Sequence, residues 1–243
     1  MHEKIGAVMP KFTASLKEVF SEDLLAVVLY GSAAGDSYRE DVSDINVLVI
    51  LEKGGADKLF KLGSTVKALI QKYRISPFFM TREEFTTAAD VFPIEYCDIL
   101  EANEVVYGDK KTLAITVSEE NLRLQLEEKL RGAVGDVRGM LIAAGGNEKR
   151  LQTLLRGWAG LGGVLFRGLL RLKGKSVAGL AAETTIAEVE KEYGLSLEGF
   201  SALNRLRQSK KSEPLNAAAF AETLLKALAE LVRKVDALDR KAK

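Results

Sequence analysis

Two apolar runs of seven residues constrain this chain most. Leu24-Leu25-Ala26-Val27-Val28-Leu29-Tyr30 stops at Gly31, and Ile45-Asn46-Val47-Leu48-Val49-Ile50-Leu51 follows a turn-rich loop. Runs this short, apolar at nearly every position and closed by glycine, predict strands buried on both faces. The surrounding pattern is mixed. Phe12, Leu16, Val19 and Phe20 recur at helical spacing, which predicts a helix over 10–20 with Pro10 near its start. Residues 56–72 read as a second helix. Further strands are expected near 75–80, 94–100 and 104–107, with Glu83 in the first turn of a helix after Thr81.

The second half changes period. Leu122, Leu126, Leu130, Val134, Val137 and Leu141 mark one apolar stripe. Leu151, Leu154, Leu155, Trp158, Leu161, Leu165, Leu169 and Leu172 mark another, on one expected helix. Thr185 and Glu188 fit a capping box for a short helix that Gly194 ends. A last helix is expected over 214–241. Four or so helices with short connections make a bundle. The fold class expected is therefore α+β, a mixed sheet with flanking helices over residues 1–117, followed by an all-α helical bundle over 118–243.

Charge divides at the same place. Lysine plus arginine is 35 and aspartate plus glutamate is 34, so bulk charge does not suit the chain to coating nucleic acid. Residues 1–117 carry 13 basic and 18 acidic side chains, a net of −5, and 118–243 carry 22 and 16, a net of +6. Two solvated surfaces account for this, and so do two domains of opposite sign facing each other across a cleft.

Cys97 is the one cysteine and His2 the one histidine. Disulfide scaffolds, zinc fingers, Cys/His metal sites and Ser-His or Cys-His pairs with an internal histidine are thereby excluded. Cys97 reads as a small core residue on a strand. The longest uncharged stretch in question, 157–166, has ten residues with four glycines. A membrane-spanning helix needs about 20 apolar residues, so no membrane partner and a cytoplasmic setting are expected. Acid–base or metal chemistry falls to carboxylates, lysines and hydroxyls.

The chemistry concentrates between the two runs. Gly31-Ser32 closes the first strand, eleven residues intervene, and Asp44 and Asn46 open the second. Spacing of two on a strand puts Asp44 and Asn46 on one face. A Gly-Ser turn offers backbone N–H groups and a hydroxyl to a phosphate, and Gly31 lets the backbone approach closely. Mg²⁺ takes oxygen ligands and substrate phosphates. A phosphate cradle beside such ligands is what nucleotidyl transfer needs.

On Gly31-Ser32 and Ser43-Asp44-Ile45-Asn46, the sequence resembles the nucleotidyltransferase superfamily related to DNA polymerase β. The resemblance covers roughly residues 10–108. Residues 90–99 and Val105-Val106-Tyr107-Gly108 resemble a branch in which a helical domain follows, and Phe166-Arg167-Gly168-Leu169-Leu170-Arg171-Leu172-Lys173-Gly174 fits such a domain. The resemblance implies a nucleoside triphosphate and Mg²⁺ at Gly31, Ser32 and Asp44. It also implies transfer of a nucleoside monophosphate to a hydroxyl of an unknown small-molecule or macromolecular acceptor. The family pattern has a carboxylate where Asn46 stands, and a third on the strand near 75–80, where this chain has none. An amide ligates Mg²⁺ without bringing charge. Glu95 or Asp98 on the next expected strand is the replacement, only one of them facing the site by parity, and Asp98 is the choice. The alternative is a catalytically inactive nucleotide-binding or regulatory module on the same fold.

Other residues carry two readings. Asp36, Glu40 and Asp41 draw Mg²⁺ or are a solvated loop, and Arg39 touches a phosphate or solvent. Arg156, Arg167 and Arg171 share a helix face near Lys149, Arg150, Lys173 and Lys175. That face holds a triphosphate, with Arg167 and Arg171 on its phosphates, or is solvated. Gly157, Gly160, Gly163 and Gly168 permit a close helix approach, to the first domain or to a second subunit in a homodimer through the helical domain. Arg205, Arg207, Lys210 and Lys211 form a basic run without interleaved aromatics, read as a solvated loop. A related helical family uses an Arg and a nearby His for RNA cleavage, which this chain lacks.

Overall fold

The computed structural model describes residues 2–35, 38, 40, 43–177, 179–208 and 216–239. They divide into two compact units, Met1–Ser118 and Glu119–Lys243.

The first unit opens with α1, Glu3–Phe20, seven residues earlier than the periodicity of 10–20 suggests. Ile5, Val8 and Met9 continue the buried stripe of Phe12, Leu16 and Val19 toward the N-terminus. His2 caps the helix by accepting the Lys4 N–H. Pro10 sits inside the helix on its exposed side, so this buried face outweighs one missing backbone donor. Strand β1, Leu24–Tyr30, leads into a short 3-10 turn, Gly31–Ala34. Then come β2, Ile45–Leu51; α2, Ala56–Tyr73; β3, Ile75–Thr81; α3, Arg82–Thr87; α4, Pro93–Glu101; and β4, Asn103–Tyr107.

The sheet order is β3-β2-β1-β4. Strand β1 runs antiparallel to both β2 and β4, while β2 and β3 are parallel and joined through α2. Alternate residues serve two cores. Val27, Leu29, Val47 and Val49 pack with Phe12, Leu16, Leu62 and Val66. Val28, Leu48 and Ile50 pack with Phe85, Tyr96 and Ile99. Both faces are covered, which is why the strand sequences are continuously apolar. Helix α3 begins at Thr81 with a capping box to Glu84, whose hydrogen bonds hold the Glu84 carboxyl below its usual range.

The strand expected at 94–100 is helix α4. Pro93 occupies its first turn, and Pro93, Tyr96 and Ile99 are buried at a spacing of three. The alternation of Ile94 and Tyr96 mimics a strand, but proline at a helix start is the stronger signal. Cys97 therefore lies on a helix, half-buried. Buried Tyr96 donates to the Phe85 carbonyl at 2.7 Å.

The second unit comprises α5, Glu119–Ala144; α6, Glu148–Trp158; α7, Leu161–Arg171; α8, Ala182–Tyr193; α9, Glu198–Gln208; and α10, Ala217–Asp239. Six helices thus stand among the described residues where the stripes suggested about four. Helix α10 packs chiefly along α5. The long leucine stripe breaks into α6 and α7 at Ala159 and Gly160, where glycine lowers helix propensity. Gly168 permits a close approach, since a Cβ there would lie 2.6 Å from Leu126 Cδ2 on α5. Around Gly157 and Gly160 a Cβ would meet nothing within 4 Å. Gly194 ends α8 in the left-handed region as expected. Thr185 does not cap α8, because the helix starts three residues earlier and Thr185 Oγ1 donates to the Ala181 carbonyl. Arg205 and Arg207 lie on α9 rather than a loop, while Lys210 and Lys211 fall outside the described residues. Among the described residues no helix is long and apolar enough to cross a membrane.

Candidate active site

The end of β1 builds the site. Gly31 adopts φ +65°, a region open to glycine at little cost. Its N–H donates to the Ala102 carbonyl at 3.0 Å, which pins the turn to the segment entering β4. Ser32 follows in the 3-10 turn, half-buried, and its carbonyl accepts from Gly35 N at 3.2 Å. The first N–H groups of such a turn have no acceptor within it. Asn46, second residue of β2, lies against this turn. A Cβ on Gly31 would meet Asn46 Nδ2 at 3.5 Å.

Asp44 is exposed just before β2. Arg74 Nε donates to its Oδ1 at 2.9 Å. The sequence reading did not find Arg74. It is the left-handed C-cap of α2, φ 55°, its N–H bonded to the Ile70 carbonyl and its own carbonyl accepting from Ile45 N at 2.9 Å. The parallel register explains the pair. Ile45 lies beside Ile75, so the residues before them, Asp44 and Arg74, meet at the same sheet edge. By the same register Asn46 lies beside Ser76, and no residue of β3 is a carboxylate. Both side chains of the ion pair are about half exposed, at 47% and 52%, so the pair contributes under about 1 kcal/mol. A polyanion with a divalent ion can displace it.

The helical nature of α4 changes the reading of its carboxylates. On a strand Glu95 and Asp98 would point apart, but three apart on a helix they share a side. Both act on Tyr30, the residue before Gly31. Burial, then Asp98, then Glu95 raise the Tyr30 phenol above its ordinary range. The structure thus brings Asn46 to Gly31, Arg74 to Asp44, and both α4 carboxylates toward Tyr30. No group of three His, Cys, Asp or Glu side chains that could hold a metal ion occurs among the described residues. The donor set of Asp44 and Asn46 fits one Mg²⁺ that takes most of its ligands from phosphate and water, and does not fit a carboxylate-bridged pair.

Asp36, Arg39 and Asp41 lie outside the described residues. Glu40, about half exposed, pairs with Lys4 of α1 at 3.2 Å. Arg167 and Arg171 are on α7 and belong to the second unit.

No family model and no curated protein matches this sequence. Among solved structures, the chain is similar to spectinomycin adenyltransferase AAD(9) from Enterococcus faecialis, determined with ATP and spectinomycin. The TM-score is 0.57 at 14% identity, over 95% of this chain and 99% of that one. The chain has the nucleotidyltransferase fold. Its helical C-terminal region is part of the match, since the similarity runs through nearly the whole length. In the nucleotidyltransferase fold seen here, the Gly31 turn and the opening of β2 carry the Gly-Ser and Asp-x-Asn motifs on adjacent antiparallel strands.

Proposed function

We propose that this chain binds a nucleoside triphosphate at the Gly31 turn. One observation carries the reading. Gly31 ends β1 at positive φ with the Asn46 amide against it, so the backbone at the turn is bare on the side where β2 opens with Asp44 and Asn46. Ser32 receives phosphate oxygens through its N–H and hydroxyl, while Gly31, without a Cβ, lets them approach the backbone. Asp44 and Asn46 are the residues that hold Mg²⁺, which supplies charge neutralisation along the triphosphate when bound. Arg74 supplies a further positive charge at the same edge. That the similar structure is described with ATP and spectinomycin supports a nucleotide and a hydroxyl-bearing acceptor here.

Transfer of the nucleoside monophosphate to that hydroxyl is favoured by Glu95 and Asp98, which offer two carboxylates beside Tyr30 for holding the acceptor proton. Binding without transfer is favoured by Asn46 and by Ser76 beside it, which add no carboxylate to Asp44 at this edge.

Thermal denaturation with each nucleoside triphosphate, with and without Mg²⁺, tests binding. A ligand at about 100 times its Kd stabilises by roughly 2.7 kcal/mol. No shift with any triphosphate at millimolar concentration overturns the proposal. Where binding is seen, pyrophosphate release with a panel of hydroxyl-bearing acceptors that includes spectinomycin separates the two readings, with Asp98→Asn and Glu95→Gln as the variants that abolish transfer but keep binding.

A further inference from the structure

Arg74 stands out on backbone grounds. It is one of two non-glycine residues at positive φ among the described residues, Ser21 being the other. At a left-handed helix C-cap, glycine or asparagine is the usual occupant, because an ordinary side chain crowds the backbone there. The α2 cap itself uses only main-chain groups. The Arg74 N–H bonds to the Ile70 carbonyl, and the Arg74 carbonyl accepts from Ile45 N at 2.9 Å. An arginine kept at so unfavourable a position points to a use for its side chain.

That side chain reaches the residue before Ile45. Its Nε donates to Asp44 Oδ1 at 2.9 Å, with both partners about half exposed. Main chain and side chain of one residue thus hold the two residues at which β2 opens. Asp44 is the one carboxylate in residues 43–46 and 75–81, where the two parallel strands start. Charge then decides what Asp44 accepts. A bare divalent cation has to separate the ion pair and settle beside a guanidinium of like sign. A nucleoside triphosphate carrying one divalent ion is a net anion, which the same guanidinium attracts. Arg74 opposes the first and favours the second.

We propose that Arg74 is a positioning residue that gates the ion site, holding Asp44 so that a divalent ion enters as its nucleoside triphosphate complex rather than alone. The gate rests on the reading of Asp44 as an ion ligand and on nucleotide binding at the Gly31 turn.

Two titrations of the full chain test it: Mn²⁺ without nucleotide, followed by loss of the free-ion paramagnetic resonance signal, and ATP in excess Mg²⁺, followed by calorimetry. Arg74→Asn removes the charge with a residue that suits the left-handed cap, and Arg74→Gly is a second neutral variant that the cap accepts best. Either should bind Mn²⁺ alone about three- to fivefold more tightly, the scale of a lost half-exposed ion pair, and ATP with Mg²⁺ about three- to fivefold more weakly. The opposite signs mark the gate, because a purely structural role would lower both affinities. Arg74→Lys keeps the charge and should move both values back toward the parent. Adding Asp44→Asn to Arg74→Asn should remove the gain in Mn²⁺ affinity. If ATP binds the parent but the neutral variants leave Mn²⁺ affinity unchanged, or shift both affinities the same way, the gate is overturned and nucleotide binding stands. A Mn²⁺ gain that survives Asp44→Asn overturns Asp44 as the ligand and the gate with it. No ATP binding to the parent at millimolar concentration overturns the nucleotide reading itself, and the gate falls too.

Discussion

Asn46→Asp restores a carboxylate at the edge of the Gly31 turn, and its cost follows from the geometry. Residue 46 is half-buried on β2, two residues from Asp44. That spacing separates the two charged groups by roughly 7 Å along an extended chain. At effective dielectric constants between about 20 and 80, their repulsion is roughly 0.6–2.4 kcal/mol. The α4 carboxylates that act on Tyr30 add to it, and Arg74, already on Asp44, offsets part. The metal-free variant should be about 1–2 kcal/mol less stable at pH 7, a fall in Tm of roughly 4–10 °C for a unit of this size. The sign with pH is set by like charge. The new carboxyl has a folded pKa above its unfolded value of about 3.9, so its penalty is full at neutral pH and disappears as the pH falls through that raised value. Millimolar Mg²⁺ with ATP should recover the lost stability and raise Tm more in the variant than in the parent. Denaturation scans at pH 4 and pH 7, with and without Mg²⁺ and ATP, read all of this. If the variant matches the parent at pH 7 and its Mg²⁺ response is unchanged, residue 46 does not face an ion site, and the donor assignment is wrong.

Four further substitutions test the fold that carries the sites. Gly157→Ala, with open space around its Cβ, should stabilise by up to about 1 kcal/mol through helix propensity, while Gly168→Leu should destabilise by about 1–3 kcal/mol or more against buried Leu126, both read by urea unfolding. Tyr96→Phe leaves the buried Phe85 carbonyl without its donor and should cost about 1–3 kcal/mol at pH 7. Burial and Asp90 push the Tyr96 phenol up to about 12, so it ionises first in the unfolded chain. Parent stability should then fall as pH rises from about 10 toward 12, and Tyr96→Phe should flatten that limb. Hydrogen bonds from Arg131 and Arg123 hold Glu127 below its usual range. Its contribution is present above the unfolded value of about 4.3 and lost as pH falls through the lower folded value, so Glu127→Gln should weaken the acid dependence of unfolding below about pH 4.5.

How much of this was legible depends on the range of the forces involved. Strands β1 and β2 were readable because both their faces are buried, which makes nearly every position in them apolar. The Gly31 turn was readable because its backbone lies at φ +65°, where glycine is favoured. The start of α1 and the break between α6 and α7 were not. Each is decided by what packs on Ile5 and Val8, or by how two helices dock, rather than by local propensity.

The pairing of Arg74 with Asp44 shows where the boundary lies. Both residues are plain in the sequence, and neither has a local reason to find the other. Their meeting follows once β2 and β3 are known to run parallel with Ile45 beside Ile75. The same logic reverses the reading of α4. Treated as a strand, the segment offers one carboxylate and asks which. As a helix entered through Pro93, it presents Glu95 and Asp98 on one side, and both raise the Tyr30 phenol. A chain that lacks carboxylates at Asn46 and Ser76 therefore carries two beside the residue that precedes Gly31. Negative charge missing from the strands is present on the helix that covers them. Glu95→Gln and Asp98→Asn are therefore the variants that test the proposed transfer.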